Sequence, residues 1–192
     1  MVRHSTKVGS MDFFKTPHWV TKILLDHIEF IGPIWEPACG NGKMAKDLKK
    51  FGYDVISSDL CDRGFGITGI NFLNEKSSWA LNIITNPPYA IANKFVTHAL
   101  ELGPEGKVAM LMRTLFLEGK YRHEMFKKFP PSNIIVISDR VDMESEKPGR
   151  AFSLSWFIWD FSKRTRFTKL SWAKYFEIAK KHIQEEKRGK GR

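Results

Sequence analysis

Two short strings in this chain of 192 residues carry side chains that could do chemistry together. Asn86-Pro87-Pro88-Tyr89 offers an amide oxygen, a backbone carbonyl and an aromatic ring within four positions. An exocyclic amine can rest its two N–H bonds on the Asn86 oxygen and the Pro87 carbonyl, which aims the nitrogen lone pair outward for attack. Consecutive prolines stiffen that carbonyl and add no competing N–H. Tyr89 supplies a flat face for a planar base. The second string is Glu36-Pro37-Ala38-Cys39-Gly40-Asn41-Gly42, whose glycines permit a tight turn with close backbone approach. Asp59 lies 17 positions beyond Gly42, where a carboxylate can accept both hydroxyls of a ribose.

Regular elements must bring these strings together. Thr16-Pro17 reads as a helix start, with Thr as N-cap and Pro at the first position, and an apolar stripe from Val20 to Ile31 runs on to Gly32-Pro33. Ile34-Trp35 is a short strand, Lys43 to Phe51 a helix closed by Gly52, and Tyr53 to Ser58 a second strand ending at Asp59. Leu81 to Thr85, Lys107 to Met112, Ile134 to Ser138 and Ser153 to Trp159 follow as strands, with helices over Ala92 to Leu102 and Tyr121 to Phe129. The alternation predicts an α/β fold, a doubly wound, mostly parallel sheet. The last pair is joined by the polar loop Asp142 to Arg150 rather than a helix, so it should be antiparallel at one edge. A final amphipathic helix is expected from Ser171 to about Lys187. Ligands bind such sheets beyond the carboxyl ends of the strands, where Glu36, Asp59 and Asn86 all fall.

The glycine turn is not that of a dinucleotide fold. The third glycine of G-x-G-x-x-G is replaced by Ala45, and Glu36 stands four residues before Gly40. The string with its downstream acid resembles the S-adenosylmethionine motif of class I methyltransferases. With Asn86-Pro87-Pro88-Tyr89, the chain from about residue 12 to 160 resembles the amino-methyltransferases that make N6-methyladenine in DNA, closest to small stand-alone phage and prophage enzymes. Asp12 to Pro17 resembles the F-x-T-P segment that lies over the methionine end of the cofactor in that family. Arg113 to Gly119 and Phe152 to Trp159 also look like that group. The resemblance implies S-adenosyl-L-methionine as cofactor, held by Thr16, Pro17, Glu36, Ala38, Cys39, Gly40, Asn41, Gly42, Asp59, Leu60, Asn71 and Phe72. It implies Asn86, Pro87, Pro88 and Tyr89 as catalytic residues, Tyr89 and Phe152 as walls for the target base with Trp156 in reserve, and no metal. The family has an acidic residue before Phe where this chain has Asn71-Phe72-Leu73, leaving a neutral acceptor for the cofactor's adenine.

The charge is unevenly spread. Net charge is +10, yet the first 162 residues carry a surplus of only two basic residues; the other eight belong to Lys163 to Arg192. This divides the chain into a methyltransferase domain, 1–162, and a basic C-terminal segment, 163–192, expected as one helix with a frayed end. A basic segment suits a polyanion, nucleic acid before membrane. The 33 residues after Trp159 leave no room for a target-recognition domain. The segment and the Asp142 to Arg150 loop are therefore expected to grip the phosphate backbone and give short or loose sequence preference. Lys94 and Arg113 read as ordinary surface charges.

Two cysteines are too few for a disulfide framework, no Cys/His cluster has zinc spacing, and the N-terminus lacks a signal peptide's apolar core. The reducing cytoplasm is the default compartment, and the expected partner is DNA or RNA rather than a membrane; the sequence leaves the oligomeric state open, with a monomer favoured. RNA adenine is the nearest alternative, because one pocket accepts the same base from either polymer. Glutamine methylation in release factors shares the motif, but those enzymes have a helical domain where only 35 residues precede Glu36. A catalytically degenerate nucleic-acid-binding module is the non-enzymatic alternative.

Overall fold

The computed structural model describes residues 13–163, 165 and 167–175. Eight strands form one sheet: β1 (Ile34–Glu36), β2 (Val55–Asp59), β3 (Ile67–Thr68), β4 (Asn82–Thr85), β5 (Lys107–Arg113), β6 (Asn133–Ile137), β7 (Leu154–Asp160) and β8 (Lys169–Ala173). The helices are α1 (His18–His27), α2 (Lys43–Lys50), α3 (Ala92–Leu102) and α4 (Lys120–Lys128), with 3-10 turns over Phe72–Asn74, Tyr89–Ile91 and Thr114–Leu117. The strand order is β3-β2-β1-β4-β5-β7-β6-β8, parallel throughout except for β7. This is the expected doubly wound sheet.

The pattern of the central strands shows why both faces are covered. Along β5, Val108, Met110 and Met112 point into one apolar cluster, while Ala109 and Leu111 point into the other. Along β7, Phe157 and Trp159 join the first, and Leu154, Trp156 and Ile158 the second. Side chains alternate across a strand, so a continuous apolar run can be buried only between two layers. Helix α1 with α2 covers one face, and α3 covers the other.

The expected antiparallel pair, β6 with β7, makes up this side of the sheet. Beyond it stands β8, where the sequence pattern predicts the start of a helix from Ser171. Backbone pairing with β6 over the full length of Lys169–Ala173 makes it a strand, and only Ala173 of its side chains is buried. The remainder of that expected helix, from 176, lies outside the described residues. Helix α1 also stops sooner than its apolar stripe implied. Ile28 is extended, and Ile31 is exposed.

The chain leaves β1 toward one side of the sheet and resumes at β4 on the other, so the order switches between these two adjacent strands. The glycine turn follows β1 and Asn86-Pro87-Pro88-Tyr89 follows β4. Topology alone sets the two strings side by side at the crevice where such sheets bind ligands.

Candidate active site

The turn after β1 is built under Glu36. Gly40 and Gly42 have φ of +55° and +76°, and Gly42 precedes the first residue of α2. A side chain on Gly40 would collide with the Phe13 ring, and one on Gly42 with Phe65. Glu36 is 2% exposed. Its carboxyl accepts the Ala45 N–H in the first turn of α2, while Oε2 is buried without a partner. Burial pushes its pKa well above the ordinary carboxylate range, the Ala45 bond opposes that, and the charges of Asp59 and Asp47 add to it.

Asp59 has a task that spacing did not reveal. Oδ2 accepts the Gly40 N–H and Oδ1 the Cys61 N–H, both at 2.8 Å. The carboxylate staples the glycine turn to the end of β2, and each oxygen keeps lone-pair capacity for a hydroxyl. Cys39 is no nucleophile: burial, with the carboxylates of Glu36 and Asp59, pushes its thiol up to about 12. Asn71 Oδ1 accepts the Leu73 N–H at 3.1 Å, capping the 3-10 turn. Phe72 is buried against Trp35 and Phe95.

Asn86 is held from the N-terminal side. Its Nδ2 donates to the Phe14 carbonyl at 3.4 Å and to Thr16 Oγ1 at 3.2 Å. A carbonyl can only accept, so these bonds set the Nδ2 end of the amide on the segment before α1. Oδ1 is buried and has no partner. Thr16 was expected to cap α1; Pro17 occupies that position without a side-chain cap bond. The Thr16 hydroxyl orients Asn86 instead. In the same stretch, the Pro88 carbonyl accepts the Ile91 N–H at 3.1 Å. The Pro87 carbonyl is the one not taken up by that turn.

Phe14 completes the aromatic part. Its ring stacks on Tyr89 at 5.7 Å and meets Phe152 edge-on at 5.0 Å, with Tyr89 and Phe152 6.2 Å apart. Phe152 thus packs against Phe14 beside Tyr89, beneath the Arg113 guanidinium at 5.6 Å. Trp156 is not in reserve there: it is fully buried, and its Nε1 donates to the Val20 carbonyl at 2.9 Å.

A cavity of about 390 Å³ opens between the glycine turn and Asn86, a size that suits a small-molecule ligand. Of the residues expected around a cofactor, Pro17, Gly40 and Gly42 do not line it; the others do. Phe13 and Phe14, within the segment that resembles F-x-T-P, line it as well, whereas Tyr89 and Phe152 do not. Arg63, also in the lining, stacks over Phe13 at 4.4 Å.

The polar loop from Asp142 to Arg150 is held to the body through its acids. Glu146 bonds Lys43 at 3.0 Å and the His18 N–H at 2.9 Å, and Glu144 approaches Lys15 at 4.0 Å. Its acids tie the loop to Lys15, α1 and α2, and Lys147 and Arg150 remain exposed. Among the described residues no cluster of His, Cys, Asp or Glu could hold a metal ion, and no helix is long and apolar enough to cross a membrane.

No protein-family profile and no curated protein sequence matches the chain. Solved structures do. A Listeria monocytogenes protein assigned to the class I S-adenosylmethionine-dependent methyltransferases superposes with a TM-score of 0.62 at 16% identity, over 89% of this chain and 70% of that one. A modification subunit assigned to a type I restriction enzyme of Vibrio vulnificus gives 0.56 at 13% identity, over 84% and 50%. A dimethyladenosine transferase from Plasmodium falciparum gives 0.54 at 15%, over 77% and 62%. The chain spans half to 70% of their lengths. At these identities the shared property is the fold, a Rossmann-like sheet in the arrangement of these methyltransferases.

Proposed function

We propose that this protein is an S-adenosyl-L-methionine-dependent methyltransferase acting on the exocyclic N6 of adenine in DNA, with short or loose sequence preference. The observation that carries the reading is the buried, unpartnered Asn86 Oδ1, its orientation imposed by Phe14 and Thr16, beside the rings of Tyr89 and Phe152.

The residues present fit the cofactor. The unpartnered Glu36 Oε2 offers the methionine end an acceptor, Asp59 has capacity for ribose hydroxyls, and the side-chain-free glycines admit close backbone approach. S-adenosyl-L-methionine supplies an electrophilic methyl group on a sulfonium. The chain's own part is orientation. Asn86 Oδ1 and the Pro87 carbonyl accept the two N–H bonds of the amine, drawing its lone pair out of conjugation with the ring and facing it along the cavity. Tyr89 and Phe152, tilted at 59° to one another, would flank the base once Phe14 gives way. A base inside a duplex cannot reach such a pocket and must be extruded, at a cost of a few kcal/mol.

Methyl transfer from labelled cofactor to duplex DNA, single-stranded DNA, RNA and total protein tests this, with Asn86→Ala as control. The expected product is N6-methyladenine in DNA, lost by at least about a hundredfold in the variant, as when one oriented polar group is removed from a transition state. Label confined to RNA or protein would overturn the DNA assignment.

A further inference from the structure

The carboxyl edge of the sheet carries one more surface beside the pocket. β5 lies between β4 and β7, and Arg113, its last residue, pairs with Leu154 at the start of β7. The Thr114–Leu117 turn therefore starts next to both walls of the base site. It is rigidly seated. The Thr114 N–H donates to the Ser153 carbonyl at 3.0 Å, Thr114 Oγ1 bonds Ser155 at 2.9 Å, and Phe116 is buried against Phe157. On that pedestal Leu115 is 63% exposed and Tyr121, in the first turn of α4, is 89% exposed. Arg113 and Lys120 flank them, also exposed, with Glu118 between. Arg122 is held inward, bonded to Asn93 at 3.2 Å and stacked over Phe116. From Arg113 to Lys128 five basic residues stand against two acidic ones.

An apolar side chain held rigidly in water beside the mouth of the site, with cations on both sides, matches a polyanion whose interior is apolar. The geometry points to this turn as the place where duplex DNA docks, with Leu115 inserted into the base stack at the position vacated by the extruded adenine and Arg113 and Lys120 against the phosphates. Extrusion leaves a gap in the stack, and an apolar wedge restores part of the lost stacking. This rests on the DNA reading above and adds where the duplex sits.

The test compares kcat/KM on native and heat-denatured genomic DNA for the wild type, Leu115→Ala and Leu115→Met. A wedge matters where a stack must be opened, so the native-to-denatured ratio should fall about tenfold in Leu115→Ala and recover in Leu115→Met. Equal thermal midpoints confirm that folding is intact. An unchanged ratio overturns the inference, as does a wild type that methylates only denatured DNA. A wild type that methylates no DNA fails the parent reading, and this one with it.

Discussion

Replacing Glu36 by Gln should make the protein more stable at neutral and alkaline pH while weakening its grip on the cofactor. Glu36 is a buried carboxyl with one oxygen unpartnered, near the charges of Asp59 and Asp47. Its pKa is therefore raised, first by desolvation. Between the unfolded value of about 4.3 and the folded value, the native state binds more protons than the unfolded one, so stability falls as pH rises. The stabilising contribution is fully present below about 4.3 and is lost as pH climbs through the folded pKa. Each unit of elevation corresponds to about 1.4 kcal/mol, or roughly 3–6 °C in Tm for a chain of this size. Gln keeps an acceptor for the Ala45 N–H and never ionises. Thermal unfolding of both proteins from pH 4 to pH 9 should show the wild-type midpoint falling relative to the variant's across this window, with the variant ahead at the alkaline end. Calorimetric titration should show weaker S-adenosyl-L-methionine binding, because a neutral amide faces the cavity. Parallel midpoint curves would refute the argument, since they would mean that Glu36 titrates as an exposed carboxyl does.

Two further outcomes follow from single contacts. Gly42→Ala places a Cβ at φ +76° against the Phe65 ring; left-handed strain of about 1–2 kcal/mol adds to displacement of that ring, and both Tm and cofactor affinity should drop. Thr16→Val preserves shape but removes one of the two acceptors that hold Asn86; a loss of about 1 kcal/mol, roughly fivefold in kcat, is expected, and an unchanged kcat would show that the Phe14 carbonyl suffices.

What the sequence revealed and what it hid divide by range. The βαβ alternation, the glycine turn and Asn86-Pro87-Pro88-Tyr89 are local patterns, and each sits at the strand end where the pattern put it. β8 is different. Lys-Leu-Ser-Trp-Ala has one buried side chain and no alternation to read, and its strand character comes from β6, more than thirty residues away. Thr16 misled for a related reason. Before Pro17 it has the look of a helix cap, but its hydroxyl meets Asn86 seventy positions on. The anchoring of the loop from Asp142 to Arg150 is equally long-range, resting on Lys15 and Lys43 more than a hundred positions back.

These long-range contacts converge on the strap from Phe13 to Thr16. Phe13 covers the glycine turn, Phe14 fills the corner between Tyr89 and Phe152, Lys15 reaches Glu144, and Thr16 orients Asn86. Two aromatic rings sandwiching a base need roughly 7 Å between them, twice the contact distance of about 3.5 Å. Tyr89 and Phe152 stand 6.2 Å apart with Phe14 against both. Entry of a base between them therefore requires the Phe14 ring to yield, and Phe14 is joined through its own carbonyl to the amide that must receive the amine. The position of Asn86 and the opening of the base site are consequently set by one segment, so substitutions at Phe14 should act on kcat and on DNA affinity together, whereas those at Asp59 act on the glycine turn and the cofactor it receives.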